Sequence, residues 1–139
     1  MSPTHTGGCR CGAVRFEAGG EPICATYCHC SDCRRASGAP LSAFVGFLTD
    51  NVRFHGSRGA SYGNHPVQRS FCSACGAPIA YVDARLEEQI FFVLGAMDRP
   101  ELYPPTVHGY VGEQLPFLHI NDGLPRPQKN TVPRPPGAD

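Results

Sequence analysis

Three of the eight cysteines lie close together in residues 27–35, which read Tyr-Cys-His-Cys-Ser-Asp-Cys-Arg-Arg. Cys28 and Cys30 are two residues apart, so their side chains would point to the same face of a strand. His29 would then face the other way, which makes it a poor ligand for an ion held by its neighbours. Zinc binds deprotonated sulfur ligands in a tetrahedral arrangement. With Cys33 nearby, the spacing predicts a zinc site made of thiolates.

Cys33 must return to the same side of the chain over a turn. Ser31 is a favourable N-cap, and we expect a short helix that begins at Asp32. Cys33 would then lie in the first turn, where the helix dipole favours a thiolate. Arg34 and Arg35 follow directly and could offset the charge of the sulfurs or hold a substrate carboxylate.

Two further pairs of cysteines are each followed directly by a glycine: Cys9 and Cys11 before Gly12, and Cys72 and Cys75 before Gly76. A metal knuckle turns its backbone toward the sulfurs, and the residue after the second cysteine often needs a positive φ. Eight cysteines in a short secreted chain would instead suggest disulfides. The sequence starts without the basic and apolar segments of a signal peptide, so we expect reduced thiols, zinc and a cytoplasmic protein.

Seven of the cysteines therefore divide into a set of four and a set of three. The set of four consists of Cys9, Cys11, Cys72 and Cys75. It would close a tetrahedral zinc site, and closed sites are structural. The set of three consists of Cys28, Cys30 and Cys33. It would leave the fourth position of a second zinc open to water or substrate, which is typical of a catalytic site.

The eighth cysteine, Cys24, looks at first like a fourth ligand for the open site. On an unbroken strand, however, it lies ~13 Å from Cys28, so we interpret it as a buried structural thiol. A closed second site completed by Cys24, His29 or a distant histidine remains the alternative.

A zinc ion held by three thiolates is electron-rich and should prefer another sulfur as its fourth ligand. A substrate thiol fits such a site better than hydrolytic water does. Binding would lower the pKa of the thiol and supply a thiolate at neutral pH.

The composition limits the partners of the protein. Twelve basic and twelve acidic residues balance in a chain of 139, so there is no strong field to attract nucleic acid or an anionic membrane. No apolar run approaches the ~20 residues that span a bilayer. We therefore expect a small-molecule partner, and the sequence leaves the oligomeric state open.

The hydrophobic pattern predicts an all-β domain over residues 1–123. Sixteen glycines and fourteen prolines disfavour long helices. Strands are expected at residues 13–17, 21–30, 41–48, 52–55, 67–71, 78–82 and 90–97, with a short helix capped by Asp83. The uninterrupted apolar run in residues 90–97 predicts a central strand. His108 and His119 are expected to be surface or hydrogen-bonded histidines, and the proline-rich residues 124–139 an extended or disordered tail.

Three motifs carry a resemblance to a known family. They are Gly-x-Cys-x-Cys-Gly in residues 7–12, Cys-His-Cys-x-x-Cys-Arg-Arg-x-Ser-Gly in residues 28–38, and Phe-Cys-x-x-Cys-Gly in residues 71–76. This order resembles the glutathione-dependent formaldehyde-activating enzymes, in the superfamily that includes centromere protein V. The resemblance implies a β-tent fold, a structural zinc on the set of four cysteines and a catalytic zinc on the set of three.

The same resemblance implies a carbon–sulfur lyase that interconverts S-hydroxymethylglutathione with glutathione and formaldehyde. A tryptophan often found in the family near the carboxyl-terminal proline is replaced here by Phe117 after Pro116. The pocket could therefore accept a different thiol adduct. The alternative is a non-catalytic β-tent module that binds zinc and presents a surface to another protein.

Overall fold

The computed structural model describes residues 3–131, which form ten strands, one α-helix and several short 3-10 turns. The strands are β1 (Thr4–Gly8), β2 (Val14–Gly19), β3 (Cys24–Cys28), β4 (Ser42–Leu48), β5 (Val52–Gly56), β6 (Ala60–Tyr62), β7 (Val67–Phe71), β8 (Pro78–Asp83), β9 (Gln89–Val93) and β10 (His108–Gly109). The helix, α1, is Ser31–Ser37. The all-β class predicted from the sequence is confirmed. No helix in this part of the chain is long and apolar enough to cross a membrane.

The strands form two sheets. The smaller sheet has the antiparallel order β1-β2-β5, and the larger has the order β10-β3-β4-β9-β8-β7-β6. Strand β9 is the middle strand of the larger sheet, which confirms the central position predicted from its apolar run. It ends at Val93, earlier than expected, because Leu94–Ala96 turns into a 3-10 helix.

The hydrophobic core lies where the two sheets pack together. Phe16 of the smaller sheet stacks on Phe92 of the larger, with ring centroids 3.8 Å apart and nearly parallel planes. Val45 and Phe47 lie beside them, and all four side chains are almost completely buried. Burial of each such side chain contributes about 1.5–3 kcal/mol, so this layer fixes one face of the larger sheet against the smaller one.

The opposite face of the larger sheet forms the floor of a cleft. Residues paired across antiparallel strands share a face, and the register aligns Thr26 with Phe44 and Arg69 with Tyr81. Tyr81 in turn pairs with Phe91 of the central strand. Helix α1 starts beside this face, because Ser31, Asp32 and Cys33 line the same cleft.

The structure differs from the sequence predictions in several local features. Strand β1 was not expected, since Thr4–Gly8 contains no large apolar side chain; it forms by pairing with β2. Gly7 allows this close approach, because a Cβ there would lie 2.4 Å from the ring of Phe16. Strand β6 lies between the strands expected at residues 52–55 and 67–71, where no strand was expected. Asp83 does cap a short helix, as predicted, by accepting from the Arg85 N–H at 2.9 Å.

The carboxyl-terminal segment is extended along β10 as far as the structure describes it. Pro125 O accepts a hydrogen bond from the His108 N–H at 2.9 Å, and Lys129 O accepts one from the Tyr110 N–H at 3.1 Å. The extended part of the predicted tail therefore packs against the domain. The remainder of that tail, residues 132–139, lies outside the described residues, as do residues 1 and 2.

Candidate metal centres

Four cysteines from two hairpins meet at one end of the molecule. Cys9 and Cys11 lie in the connection between β1 and β2, and Cys72 and Cys75 in the connection between β7 and β8. Their sulfur atoms all lie within 4.8 Å of one another. Cys11 Sγ is 3.6 Å from Cys9 Sγ and 3.7 Å from Cys72 Sγ, close to the spacing of ~3.8 Å for two sulfurs on one tetrahedral zinc.

The backbone of both connections is shaped to hold thiolates. Gly12 and Gly76 have φ values of +86° and +78°, the left-handed conformation predicted for the residue after each pair. The Val14 N–H donates to Cys9 Sγ at 3.2 Å. This backbone hydrogen bond is the main reason that the pKa of Cys9 is lowered to about 6. Four converging sulfurs with such support fit a closed zinc site.

The second set of sulfurs lies where β3 meets α1. Cys28 ends the strand, Cys30 is the N-cap of the helix, and Cys33 lies in its first turn; their sulfurs lie within 4.8 Å of one another. The helix begins at Ser31, so the prediction that Ser31 is the N-cap was wrong by one position. The Cys30 sulfur takes that role by accepting from the Cys33 N–H at 3.2 Å, because a thiolate can accept as a serine hydroxyl does.

The pKa values of these three thiols favour a single thiolate and disfavour the loss of a second or third proton. The pKa of Cys30 is lowered to about 2, mainly because the Cys28 and Cys33 thiols donate to its sulfur. The pKa of Cys28 is raised by the same hydrogen bond with Cys30. A second and a third thiolate therefore need a nearby cation. Three converging sulfurs with this property fit a soft divalent ion such as zinc.

Cys24 does not join either group of candidate ligands in the described part of the chain. Strand β3 runs unbroken from Cys24 to Cys28, as the spacing argument required. The thiol is only half-buried, which corrects the prediction of a buried thiol. His29 Nε2 lies 2.9 Å from His108 Nδ1, and His29 belongs to neither group in the described part of the chain.

All three cysteines of the second set line a cleft of about 310 Å³. Its floor is the sheet face described above. Its walls include Tyr110, together with Asn130 and Thr131 from the carboxyl-terminal segment. The Tyr110 hydroxyl donates to Asn130 Oδ1 at 2.8 Å. Tyr110 has a positive φ of 54°, the only such value among the non-glycine residues that the structure describes. The extended carboxyl-terminal segment thus forms part of this candidate site, a role that its proline-rich composition did not indicate.

Arg69 is a cationic side chain in contact with Cys33, one of the three cysteines. Its Nη2 donates to Cys33 Sγ at 3.5 Å and to Asp32 Oδ2 at 3.0 Å, and its guanidinium lies 5.3 Å from the Tyr81 ring centroid. Burial alone would lower the pKa of Arg69, but the hydrogen bonds to Cys33 and Asp32 raise it. Arg69 therefore stays charged beside the sulfurs.

Arg34 and Arg35, and not Arg69, were predicted from the sequence to offset the charge of the sulfurs or to hold a substrate carboxylate. Arg34 and Arg35 are adjacent to Cys33 in sequence, but they are absent from the residues that line the described cleft. Arg35 is exposed to solvent. The arginines that line the cleft are Arg69 and Arg85. The signal for Arg69 was its position in β7 between Val67 and Phe71, since alternate residues of a strand share one face.

A chain of hydrogen bonds runs from the buried His29 to the surface behind the Cys28–Cys30 turn. His29 Nε2 is 2.9 Å from His108 Nδ1, and His108 Nε2 is 2.7 Å from Asp122 Oδ2. A carboxylate only accepts, so His108 donates from Nε2 and its Nδ1 accepts from His29. Both histidines are almost fully buried. His108 and His119 were each predicted to be either hydrogen-bonded or at the surface. His108 is hydrogen-bonded, and His119 is exposed at the surface.

The fold and these two sets of cysteines define a class of protein: an all-β protein with one candidate metal centre of four cysteines and a second, of three cysteines, that faces a cleft. Comparison with known proteins gives its family. Residues 4–113 match the family of glutathione-dependent formaldehyde-activating enzymes, and the chain belongs to that family. The family name describes an enzyme that acts on formaldehyde with glutathione.

Two similar proteins illustrate the relationship. A Halomonas elongata protein named "Putative glutathione-dependent formaldehyde-activating enzyme" is 31% identical over 108 residues, which cover 71% of this chain and 69% of that protein. A crystal structure of a Rhodobacter sphaeroides protein matches with a TM-score of 0.55 at 24% identity, over 67% of this chain and 87% of the other. The second likeness supports the fold alone.

Proposed function

We propose that this protein is a zinc-dependent carbon–sulfur lyase that cleaves and forms thiol–aldehyde adducts of the S-hydroxymethylglutathione type. The observation that carries the proposal is that Cys28, Cys30 and Cys33 all line one cleft. The other four cysteines form a separate group of four, and a structural zinc there would have no open position for substrate. The difference between the two sets supports one structural and one catalytic zinc.

Zinc held by Cys28, Cys30 and Cys33 would supply an open position for the substrate sulfur and stabilise it as a thiolate. In the cleavage direction, the carbon–sulfur bond breaks and its electron pair stays on sulfur. The hydroxyl group of the adduct loses its proton as the carbonyl forms. Asp32 and Glu113 are the carboxylates in the described lining of the cleft, so they are the groups proposed to accept this proton.

The cleft also carries the charges that a peptide-like thiol would need. Glutathione bears two carboxylates, and arginine binds a carboxylate through charge-assisted hydrogen bonds. We assign this contact to Arg69 and Arg85, in place of the Arg34 and Arg35 contact suggested by the sequence. A small thiol adduct as partner and a cytoplasmic location, where thiols stay reduced, both follow from the proposal.

The test compares the wild type with Cys30→Ser. Serine keeps the N-cap hydrogen bond of the helix but removes a sulfur ligand, so the variant should stay folded and keep one zinc per chain instead of two. Exchange between free formaldehyde and its glutathione adduct, measured by NMR, should be accelerated by the wild type only. Equal acceleration by Cys30→Ser, or none with the metal-loaded wild type, would refute the proposal. The second result would favour the non-catalytic zinc module.

A further inference from the structure

A second cavity shares a wall with the cleft that holds the three cysteines. It has a volume of about 290 Å³ and lies between α1 and the β6-β7-β8 end of the larger sheet. Both cavities are lined by Cys33, Phe44, Arg69 and Tyr81. A molecule whose sulfur lies beside Cys33 therefore borders both spaces.

The two cavities differ in their chemistry. The first cavity is lined by the cysteines and by charged side chains, among them Asp32, Arg85 and Glu113. The second is lined mainly by small or apolar groups, which include Ala36, Tyr62, Phe71 and Val93. Arg69 at the shared wall is the charged side chain in the described lining of the second cavity.

We propose that the second cavity binds the carbon chain of the aldehyde half of the adduct, so that the preferred substrates are thiol adducts of apolar aldehydes larger than formaldehyde. This inference rests on the function proposed above. A charged thiol such as glutathione matches the first cavity, and an alkyl or aryl chain matches the second. The shared wall at Cys33 lies where the carbon–sulfur bond would join the two halves.

The volume of the second cavity supports this assignment. A cavity that holds one water molecule has a volume of about 10–15 Å³, and the single carbon of formaldehyde requires only a slightly larger volume. The cavity of about 290 Å³ would remain almost empty with a hydroxymethyl group. In the reaction, a hemithioacetal loses its hydroxyl proton, the carbon–sulfur bond breaks with both electrons on sulfur, and the thiol and the aldehyde are released. No oxidant or reductant is required, whatever the length of the aldehyde.

The experiment uses the zinc-loaded full-length protein with glutathione adducts of formaldehyde, propanal, hexanal and benzaldehyde. Each methylene buried in the cavity should raise kcat/KM by about fourfold, so the hexanal adduct should exceed the propanal adduct by more than tenfold. Ala36→Leu places a larger side chain in the second cavity, and leucine is well tolerated in a helix. It should abolish the preference for hexanal while turnover of the formaldehyde adduct stays within about twofold. Ala84→Leu, the same change at an exposed residue that lines neither cavity, should behave as the wild type.

A second variant covers the case in which Ala36→Leu fails to fold. Tyr62 is 46% exposed and lines only the second of these two cavities, so Tyr62→Ala should fold and should reduce kcat/KM for hexanal more than for formaldehyde. Turnover of the formaldehyde adduct with no gain from longer chains would overturn this inference and leave the proposed function intact. An equal loss with every adduct in both variants would also overturn it, since it would mean that the cavity holds part of the thiol. Absence of turnover with all four adducts would overturn both.

Discussion

Replacement of Arg69 tests whether a cation beside the cysteines contributes to the reaction. Arg69 Nη2 lies 3.5 Å from Cys33 Sγ and 3.0 Å from Asp32 Oδ2, and the side chain is only 15% exposed. Arg69→Gln keeps a polar side chain of similar reach but removes the charge. The negative charge of the three sulfurs would then lose the positive side chain that contacts Cys33.

The size of the effect follows from the distance. At 3.5 Å and an effective dielectric constant of ~20, two unit charges interact by about 5 kcal/mol, which is an upper limit because Asp32 offsets part of the charge. Charge-assisted hydrogen bonds contribute about 1.5–3 kcal/mol net. Loss of this interaction should therefore lower kcat/KM by about 10- to 100-fold.

Steady-state kinetics of the adduct reaction and the absorption spectrum of the cobalt-substituted protein measure this effect. Arg69→Gln should lower kcat/KM and shift the sulfur-to-cobalt charge-transfer bands, whereas Arg69→Lys should recover part of both. Arg35→Gln is the matched comparison, because Arg35 is exposed and lies outside the described cleft. If Arg35→Gln reduces kcat/KM as much as Arg69→Gln does, the assignment from the structure is wrong and the assignment from the sequence is right.

Four other changes test separate parts of the structure. Cys72→Ser should unfold the protein and release one zinc, because a structural zinc contributes about 10–16 kcal/mol and a domain has only about 5–15 kcal/mol of stability; a zinc-replete variant with an unchanged Tm would refute this. Cys24→Ala should leave the zinc content measured by elemental analysis unchanged, and loss of one zinc would show that the second site is closed. Asp98→Asn should lower the free energy of unfolding by less than about 1 kcal/mol at pH 7, since a hydrogen bond from Arg15 lowers the pKa of Asp98 to about 2. That stabilisation is present above the unfolded pKa of about 4 and is lost as the pH falls toward 2, so the unfolding curves of wild type and variant should converge there; a constant difference would contradict it. His108→Ala should lower the free energy of unfolding by about 1–3 kcal/mol, measured in urea, because the buried His29 loses its hydrogen-bond partner, and an unchanged midpoint would contradict it.

The candidate metal ligands could be predicted because their geometry is local. Cys28 and Cys30 are two residues apart in extended chain, and the glycine after each of the other pairs has the positive φ that a knuckle requires. The strongest hydrophobic pattern was equally informative. The apolar run in β9 predicted a central strand, and β9 is the middle strand of the larger sheet. In each case a few consecutive residues determine the local geometry, although the meeting of Cys11 with Cys72 joins positions 61 residues apart.

The features that were missed depend on pairing between distant residues. Strand β1 has weak strand-forming residues and is held by its antiparallel partner, β2. Strand β10 has only two residues, His108 and Gly109, and forms because it pairs in parallel with the end of β3. Arg69 contacts Cys33 across 36 positions of sequence. No local pattern encodes these contacts, so the cleft could not be assembled from the sequence although its cysteines could be named.

The environment of His29 shows how the local and distant features combine. The sequence indicates that His29 faces away from Cys28 and Cys30, but not that His108, 79 positions later, contacts its ring. His108 also donates from its backbone N–H to Pro125 O, and Asp122 accepts from the Leu124 N–H at 3.1 Å. The residues that support the cysteine turn are thus the same ones that anchor the carboxyl-terminal wall of the cleft. A change in either should disturb the other, because the two are joined by hydrogen bonds through the buried His108.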